Sequence, residues 1–271
     1  MLYTTRTFNY EYSMREADVV LLGIPFSSTE IGNDTRHGPL FIRNAIKMVT
    51  GYDSELGVNP FKKFKFHDAG DVEVVQGNWK ITEKRIIDTV DEIFNTKRSI
   101  FPVFIGGEHL ITLAIVNALK KIFGNFTIVQ LDAHADLMND WMGSKYSHIT
   151  WAYHVLKDEA LELVQIGVRS FSEHEKDIVK RLRKSIKGEK PLYLTIDLDV
   201  IDGAICNDVG TPEIGGMKVE ELMQCLARVF KNKVIGMDIV ECAARCVDSK
   251  SALIAANIIK RCLALLCKSR E

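Results

Sequence analysis

The apolar run Phe126-Thr-Ile-Val-Gln-Leu131 is followed directly by Asp132-Ala-His-Ala-Asp136, and this stretch decides the fold. Its first six residues are typical of a buried strand. Side chains alternate along a strand, so Asp132, His134 and Asp136 can point to one side if the strand geometry continues through them. The stretch therefore predicts a strand whose carboxyl end carries a cluster of ligands.

Two other apolar runs end in the same way. Leu192-Tyr-Leu-Thr-Ile196 precedes Asp197-Leu-Asp199, and Ile100-Phe-Pro-Val-Phe-Ile105 precedes Gly-Gly-Glu-His109. In an open parallel sheet, binding sites lie beyond the carboxyl ends of the strands. We therefore expect four aspartates and two histidines to meet there: Asp132, Asp136, Asp197, Asp199, His109 and His134.

Four aspartates packed together would repel one another and raise their own pKa values unless cations neutralise them. Two divalent ions would supply that charge, and an oxygen-rich set with two imidazoles suits manganese better than a thiolate-preferring metal. Two close ions can share a water molecule and lower its pKa toward neutrality. The cluster therefore predicts a hydrolase that uses two Mn²⁺ ions per chain.

Strand-like runs alternate with helix-like runs along the chain. Strands are expected at 18–24, 63–67, 100–105, 126–131, 162–166, 191–196 and 233–239, and helices include 110–123, 173–187, 219–231 and 249–267. This alternation predicts the α/β class, with three α/β/α layers around a largely parallel central sheet. At 271 residues, 46% of them hydrophobic, the chain is expected to form a single domain over 1–271.

Composition argues against several classes of partner. Lys and Arg number 35 against 36 Asp and Glu, which favours neither nucleic acid nor a membrane as a partner. The N-terminus lacks a signal-peptide pattern and no apolar run reaches membrane-spanning length, so a cytoplasmic location is expected. All six cysteines lie in the last third of the chain and complete no zinc signature, so free thiols are expected.

Six motifs follow one another along the chain: Gly106–His109, Asp132–Asp136, Ser147-His148, Thr195–Asp199, Gly210–Gly216 and Asp238–Glu241. In this order they resemble the motifs of the ureohydrolases, the arginase and agmatinase family. The chain departs from the family where Glu108 and Leu110 flank His109 in place of aspartate and serine, and where Gly203 replaces the proline that commonly follows Asp202. The resemblance covers nearly the whole chain and implies an arginase-like fold.

The resemblance also implies roles for the matching residues. His148 would shuttle protons and Glu241 would receive the substrate guanidinium. A carboxylate pairs well with this planar cation, and a histidine can protonate a departing amine. One Mn²⁺ would be held by His109, Asp132, Asp136 and Asp197, and the other by Asp132, His134, Asp197 and Asp199.

Met138 bears on the choice of substrate. It lies two residues after Asp136, where arginases resemble one another in carrying an asparagine that helps to hold the substrate α-carboxylate. A thioether makes only weak polar contacts, whereas Ser144 matches another arginase contact and favours arginine. We therefore expect a small cationic guanidino substrate, agmatine, cleaved to putrescine and urea, ahead of arginine or another guanidino-acid or formimino compound.

Two other classes of protein stay open at this point. A deacetylase-like amidohydrolase would bind a single tight ion, and a non-catalytic metal-binding or assembly protein would not need His148 and Glu241. The aspartates also have a structural alternative, as turn residues or helix caps. The resemblance further suggests a homo-oligomer, a trimer or a hexamer.

Overall fold

The computed structural model describes residues 7–8, 11–28, 31–182, 185–186 and 190–271. Seven strands form one sheet in the order β2-β1-β3-β7-β6-β4-β5, and every strand pair in it is parallel. The predicted α/β class with a parallel central sheet is therefore confirmed. The strands are β1 Val19–Ile24, β2 Phe66–Asp71, β3 Phe101–Gly106, β4 Phe126–Leu131, β5 Leu161–Ile166, β6 Leu192–Asp197 and β7 Val234–Val240.

Helices cover both faces of this sheet. Alternate residues of one strand enter different cores: Val19 and Leu21 pack with the residues of α1, α7 and α8, and Val20 and Leu22 pack with those of α3, α4 and α5. The three-layer arrangement follows from this alternation. The helices are α1 Gly38–Met48, α2 Pro60–Lys63, α3 Trp79–Thr96, α4 Ile111–Phe123, α5 Trp151–Leu156, α6 Lys176–Arg181, α7 Val219–Val229 and α8 Lys250–Ser269.

Two elements differ from the sequence prediction. The second strand begins at Phe66 rather than at residue 63, because Pro60 starts the short helix α2 at that place. The helix predicted at 173–187 is restricted to Lys176–Arg181, and Glu175 precedes it as a buried residue that accepts hydrogen bonds from backbone amides. The end of the predicted helix, residue 187, lies outside the described residues.

Two other expectations concern the membrane and the thiols. In the part of the chain that the structure describes, no helix is long and apolar enough to cross a membrane. All six cysteines carry free thiols, and all except Cys246 are buried.

The centre of the sheet places four polar strand ends side by side. Strands β3, β7, β6 and β4 are consecutive neighbours, although β7 comes last along the chain. His109 follows β3, Asp132 follows β4, Asp197 ends β6 and Glu241 follows β7. Parallel strands end at the same edge of a sheet, so these residues meet at one edge.

Candidate metal site

His109 is surrounded by aspartates. Its Nδ1 atom lies 3.0 Å from Oδ2 of Asp132, 3.3 Å from Oδ2 of Asp136 and 3.2 Å from Oδ2 of Asp197. The imidazole is buried, and Nδ1 has no hydrogen-bond partner despite these three oxygens. A buried nitrogen without a hydrogen bond, facing three carboxylate oxygens, fits a divalent cation between them.

His134 forms a second group beside the first. Its Nδ1 atom lies 2.8 Å from Oδ2 of Asp199 and 3.7 Å from Oδ1 of Asp132. Asp132 thus faces His109 with one oxygen and His134 with the other. The candidate ligand atoms of Asp132, His134 and Asp199 all lie within 4.8 Å of one another, as do those of His109, Asp132 and Asp197. The donor set therefore fits a second cation next to the first.

These side chains converge through turns rather than along extended strands. Strand β4 ends at Leu131, and Asp136 adopts a left-handed backbone conformation with φ at 56°. Asp199 lies in a 3-10 turn in which its amide donates to the carboxylate of Asp197 over 2.9 Å. The condition that strand geometry continues through the motifs is therefore not met, although all six predicted residues come together. Left-handed backbone is costly for a non-glycine residue and tends to occur at functional positions.

The cluster carries more buried negative charge than its own residues can neutralise. Burial and the charge of Asp132 raise the pKa of Asp136 well above its ordinary value, and burial and the charge of Asp199 do the same for Asp197. Burial works against the charged form of His134, yet its hydrogen bond to Asp199 and the nearby aspartates raise its pKa to about 11. Protons thus take the place of the positive charge that cations would supply.

A buried hydrogen-bond network fixes the orientation of His109. Its Nε2 atom lies 2.9 Å from Oγ1 of Thr195, which donates to Asp238 over 2.5 Å. Asp238 also accepts from the hydroxyls of Tyr193 at 2.7 Å and Thr112 at 2.9 Å. Because the Thr195 proton is used on Asp238, its oxygen accepts the Nε2 proton of His109. When a cation takes the place of the Nδ1 proton, the Nδ1 lone pair therefore points at it among the aspartates.

Sequence reasoning gave Asp238 no role of its own. The signal was an aspartate inside an otherwise apolar strand, Val234–Val240, but its meaning depends on the pairing of β7 with β6. That register places Asp238 beside Thr195. From the sequence, Trp151 could be considered only as an aromatic side chain near the substrate ammonium, and it was not among the predicted site residues. In the structure its Nε1 donates to Asp136 over 2.7 Å, and its ring stacks on His109 with 4.6 Å between centroids.

Glu241 lies next to the cluster, and its carboxylate packs against Gly210. Its Oε1 atom accepts the backbone amide of His109 over 2.7 Å, and its backbone has φ at 63°. A Cβ atom on Gly210 would lie only 2.3 Å from Oε2 of Glu241, so a side chain at that position would displace the carboxylate. Burial and the nearby charge of Glu108 raise the pKa of Glu241 to about 8.

His148 lies on the loop between β4 and α5. It is buried, and its Nδ1 atom is 3.1 Å from Oγ of Ser147. Burial and the positive charges of His134 and His109 lower the pKa of His148 to about 4. Its imidazole is therefore neutral at pH 7 in the metal-free protein.

The sequence matches a known family along most of its length. Residues 17–183 and 172–265 match the model of a family described as the Arginase family. The chain belongs to the arginase family. It is a hydrolase of the ureohydrolase type, and the arginase family depends on a pair of metal ions. The resemblance, the enzyme class and the arginase-like fold predicted from the motifs are confirmed.

Relatives within the arginase family differ in the substrate that their names give. An N(1)-aminopropylagmatine ureohydrolase of Thermococcus kodakarensis is 30% identical over 95% of each chain. A guanidinobutyrase of Pseudomonas aeruginosa is 29% identical over 92% of this chain and 86% of the relative. Among solved structures, the agmatine ureohydrolase of Thermoplasma volcanium has a TM-score of 0.84 at 25% identity, covering 99% of this chain and 96% of its own. The names of these relatives thus give more than one substrate, and family membership does not decide which one this chain takes.

Proposed function

We propose that this ureohydrolase cleaves agmatine to putrescine and urea with the help of two Mn²⁺ ions. The observation that carries the proposal is the double contact of His109. Its Nδ1 atom faces three aspartate oxygens at 3.0 to 3.3 Å, and its backbone amide donates to Glu241 over 2.7 Å. His109 therefore connects a cation site with a carboxylate suited to a guanidinium. Neither a single-ion amidohydrolase nor a non-catalytic metal-binding protein requires this combination.

Six residues are proposed as the metal ligands. The two oxygens of Asp132, one toward each histidine, support a bridging role for this carboxylate. Carboxylates and imidazoles suit manganese among the divalent ions. When bound, two such ions lower the pKa of a shared water and so supply a nucleophile near neutral pH. The proposed ligand sets are His109, Asp132, Asp136 and Asp197 for one ion, and Asp132, His134, Asp197 and Asp199 for the other.

Glu241 and His148 are proposed as the catalytic residues. The carboxylate of Glu241 would bind the guanidinium, whose positive charge favours the ionised form of this buried group. That pairing orients the guanidinium carbon toward the cluster of aspartates. His148, neutral at pH 7, would take a proton from the attacking water and pass it to the leaving nitrogen. The bond between carbon and the alkylated nitrogen breaks, and the water oxygen gives up its second proton as it becomes the urea carbonyl. The leaving nitrogen receives this proton as well, so the amine departs as an ammonium.

Local hydrogen bonds at the loops beside the site support agmatine over arginine. Oγ of Ser172 donates to Sδ of Met138 over 3.1 Å. The hydroxyl of Ser144 donates to the carbonyl of Tyr146 over 2.9 Å and accepts its amide over 3.3 Å. Met138 and Ser144 occupy the two positions compared with arginases, and the side chains of both already form hydrogen bonds with nearby residues. These contacts favour agmatine, because agmatine has no α-carboxylate that the two side chains would have to bind.

Urea release from three substrates tests the proposal. The Mn²⁺-loaded enzyme is assayed with agmatine, arginine and 4-guanidinobutyrate, and metal analysis gives the number of ions per chain. We expect two ions and the highest kcat/KM with agmatine, and no turnover in Asp132→Ala. Preference for arginine or guanidinobutyrate would overturn the proposed substrate but leave the proposed reaction standing. No urea from any of the three would overturn the proposed activity.

Three further parts of the proposal concern the whole protein. The single domain over residues 1–271, the homo-oligomer and the cytoplasmic location stay predictions. Light scattering coupled to gel filtration measures the mass in solution and so distinguishes a trimer from a hexamer.

A further inference from the structure

The outer nitrogen of His134 faces a carboxylate that has no role in the proposed ligand sets. Nδ1 of His134 lies 2.8 Å from Asp199, so the ring proton must reside on Nε2 if Nδ1 is to bind a cation. Oε1 of Glu213 lies 3.4 Å from Nε2, at the outer edge of hydrogen-bonding distance. We propose that Glu213 is a positioning residue that holds the Nε2 proton of His134 and so directs its Nδ1 lone pair at the metal site. This inference rests on the proposed function only in taking that site to bind divalent ions.

The backbone of Glu213 is tied to that of a proposed ligand. Its carbonyl accepts from Nη2 of Arg169 over 2.9 Å, and the same Nη2 atom donates to the carbonyl of Asp199 over 2.8 Å. Asp199 faces the inner nitrogen of His134 and Glu213 faces the outer one. One guanidinium therefore connects the two residues on either side of the imidazole, and the position of Glu213 relative to the cluster is defined by the fold.

Gly203, a residue at which this chain departs from the family, also fixes the backbone of Glu213. Its amide donates to the carbonyl of Glu213 over 2.8 Å, and a Cβ atom on Gly203 would lie 3.0 Å from that same oxygen. Proline, which commonly occupies this position in the family, has no amide proton to donate and would crowd the carbonyl. The departure from the family at Gly203 thus coincides with a close approach that holds Glu213 in place.

The exposure of the pair limits the size of the expected effect. The side chain of Glu213 is 37% exposed and that of His134 is 22% exposed, so solvent screens the charge of the carboxylate. Its main contribution is then to the orientation and tautomer of the imidazole. Residues that hold a ligating histidine in this way typically change metal affinity about 10- to 100-fold.

Metal titration without substrate tests the inference. Metal-free enzyme is titrated with Mn²⁺ against a fluorescent chelator, and the visible absorption of the Co²⁺-loaded protein reports the ligand geometry. We expect Glu213→Ala to lower the affinity for one of the two ions about 10- to 100-fold and to alter the Co²⁺ spectrum. Glu213→Gln, whose amide oxygen still accepts the Nε2 proton, should retain most of the affinity. Glu220→Gln removes an exposed carboxylate in the first turn of α7 and should leave the affinity for both ions unchanged.

A second variant guards against a folding defect in Glu213→Ala. Gly203→Pro keeps the carboxylate but removes the amide that holds the backbone carbonyl of Glu213, so it should weaken the binding of the same ion. Wild-type affinity and an unchanged Co²⁺ spectrum in either folded variant would overturn the inference. A higher KM for agmatine with intact metal affinity would also overturn it, because Glu213 would then contact the substrate. Since the titration uses no substrate, a wild-type enzyme that releases no urea bears on the proposed function alone.

Discussion

Removing the divalent ions should make the stability of this protein fall as the pH rises from 6.5 to 8. In the absence of cations, the folded protein keeps protons that the unfolded chain releases. The pKa of His134 rises from 6.5 to about 11 and that of Glu241 from 4.5 to about 8. Both values are raised by folding, so the native state binds more protons than the unfolded state across this window. The free energy of unfolding must then decrease with pH.

The size of the effect follows from the number of extra protons. Between pH 6.5 and 8, His134 and Glu241 together hold about one and a half more protons in the folded state than in the unfolded state. Each proton changes the free energy of unfolding by about 1.4 kcal/mol per pH unit. The expected slope is therefore about −2 kcal/mol per pH unit, a large part of a typical stability of about 5–15 kcal/mol. The raised pKa values of Asp136 and Asp197 act in the same direction, whereas the lowered pKa of His148 opposes them near pH 6.5 and has little effect by pH 8.

Urea unfolding of the chelated protein at several pH values, followed by circular dichroism, measures this slope. A parallel series with excess Mn²⁺ should show a shallower slope, because the ions replace the protons, and the gap between the two series should widen with pH. Glu241→Gln removes one of the two groups and should make the slope of the chelated protein less steep. A metal-free stability that stays constant or rises between pH 6.5 and 8 would refute the reasoning.

Four other outcomes are expected. Asp197→Ala should lose bound Mn²⁺ and turnover, since its carboxylate lies 3.2 Å from His109, whereas Glu241→Ala should lose turnover and keep its metal; elemental analysis separates the two. Asp238→Asn should lower the free energy of unfolding by about 1–3 kcal/mol, because buried hydroxyls lose a charged acceptor; equal denaturation midpoints would contradict this. Met138→Asn should raise kcat/KM for arginine relative to agmatine, and an unchanged ratio would count against the role of Met138. Gly210→Ala should raise KM for agmatine at unchanged metal content, because its Cβ would lie 2.3 Å from Glu241; a wild-type KM would mean that the pocket adjusts.

Much of the sheet could be predicted because its strands are buried on both faces. Phe126–Leu131 and Val234–Val240 are buried at every position, and such strands appear in the sequence as continuous apolar runs. The edge strand Phe66–Asp71 lacks this signal, since only Phe66 within it is buried. Its Asp68 instead pairs with Arg43 of α1 over 3.0 Å. The polar edge strand was therefore placed too early in the chain.

The candidate ligands could be predicted as residue types, but not the path of the backbone that brings them together. The left-handed conformation of Asp136 and the 3-10 turn at Asp199 have no clear sequence signal. Neither residue is followed by a glycine or a proline that would mark a turn. The roles argued for Asp238 and Glu213 depend on which strands and loops are neighbours. An alternating sequence of strands and helices does not give that order.

The position of β7 has a consequence for how the protein is made. Strands β2, β1 and β3 form one half of the sheet and β6, β4 and β5 form the other, and β7 joins them from the middle. During synthesis both halves precede Val234–Val240, so each has an open edge until this last strand leaves the ribosome. His109 belongs to the first half, whereas Asp132 and Asp197 belong to the second. A nascent chain that ends before residue 234 would carry every proposed metal ligand and still lack the strand that joins its two halves.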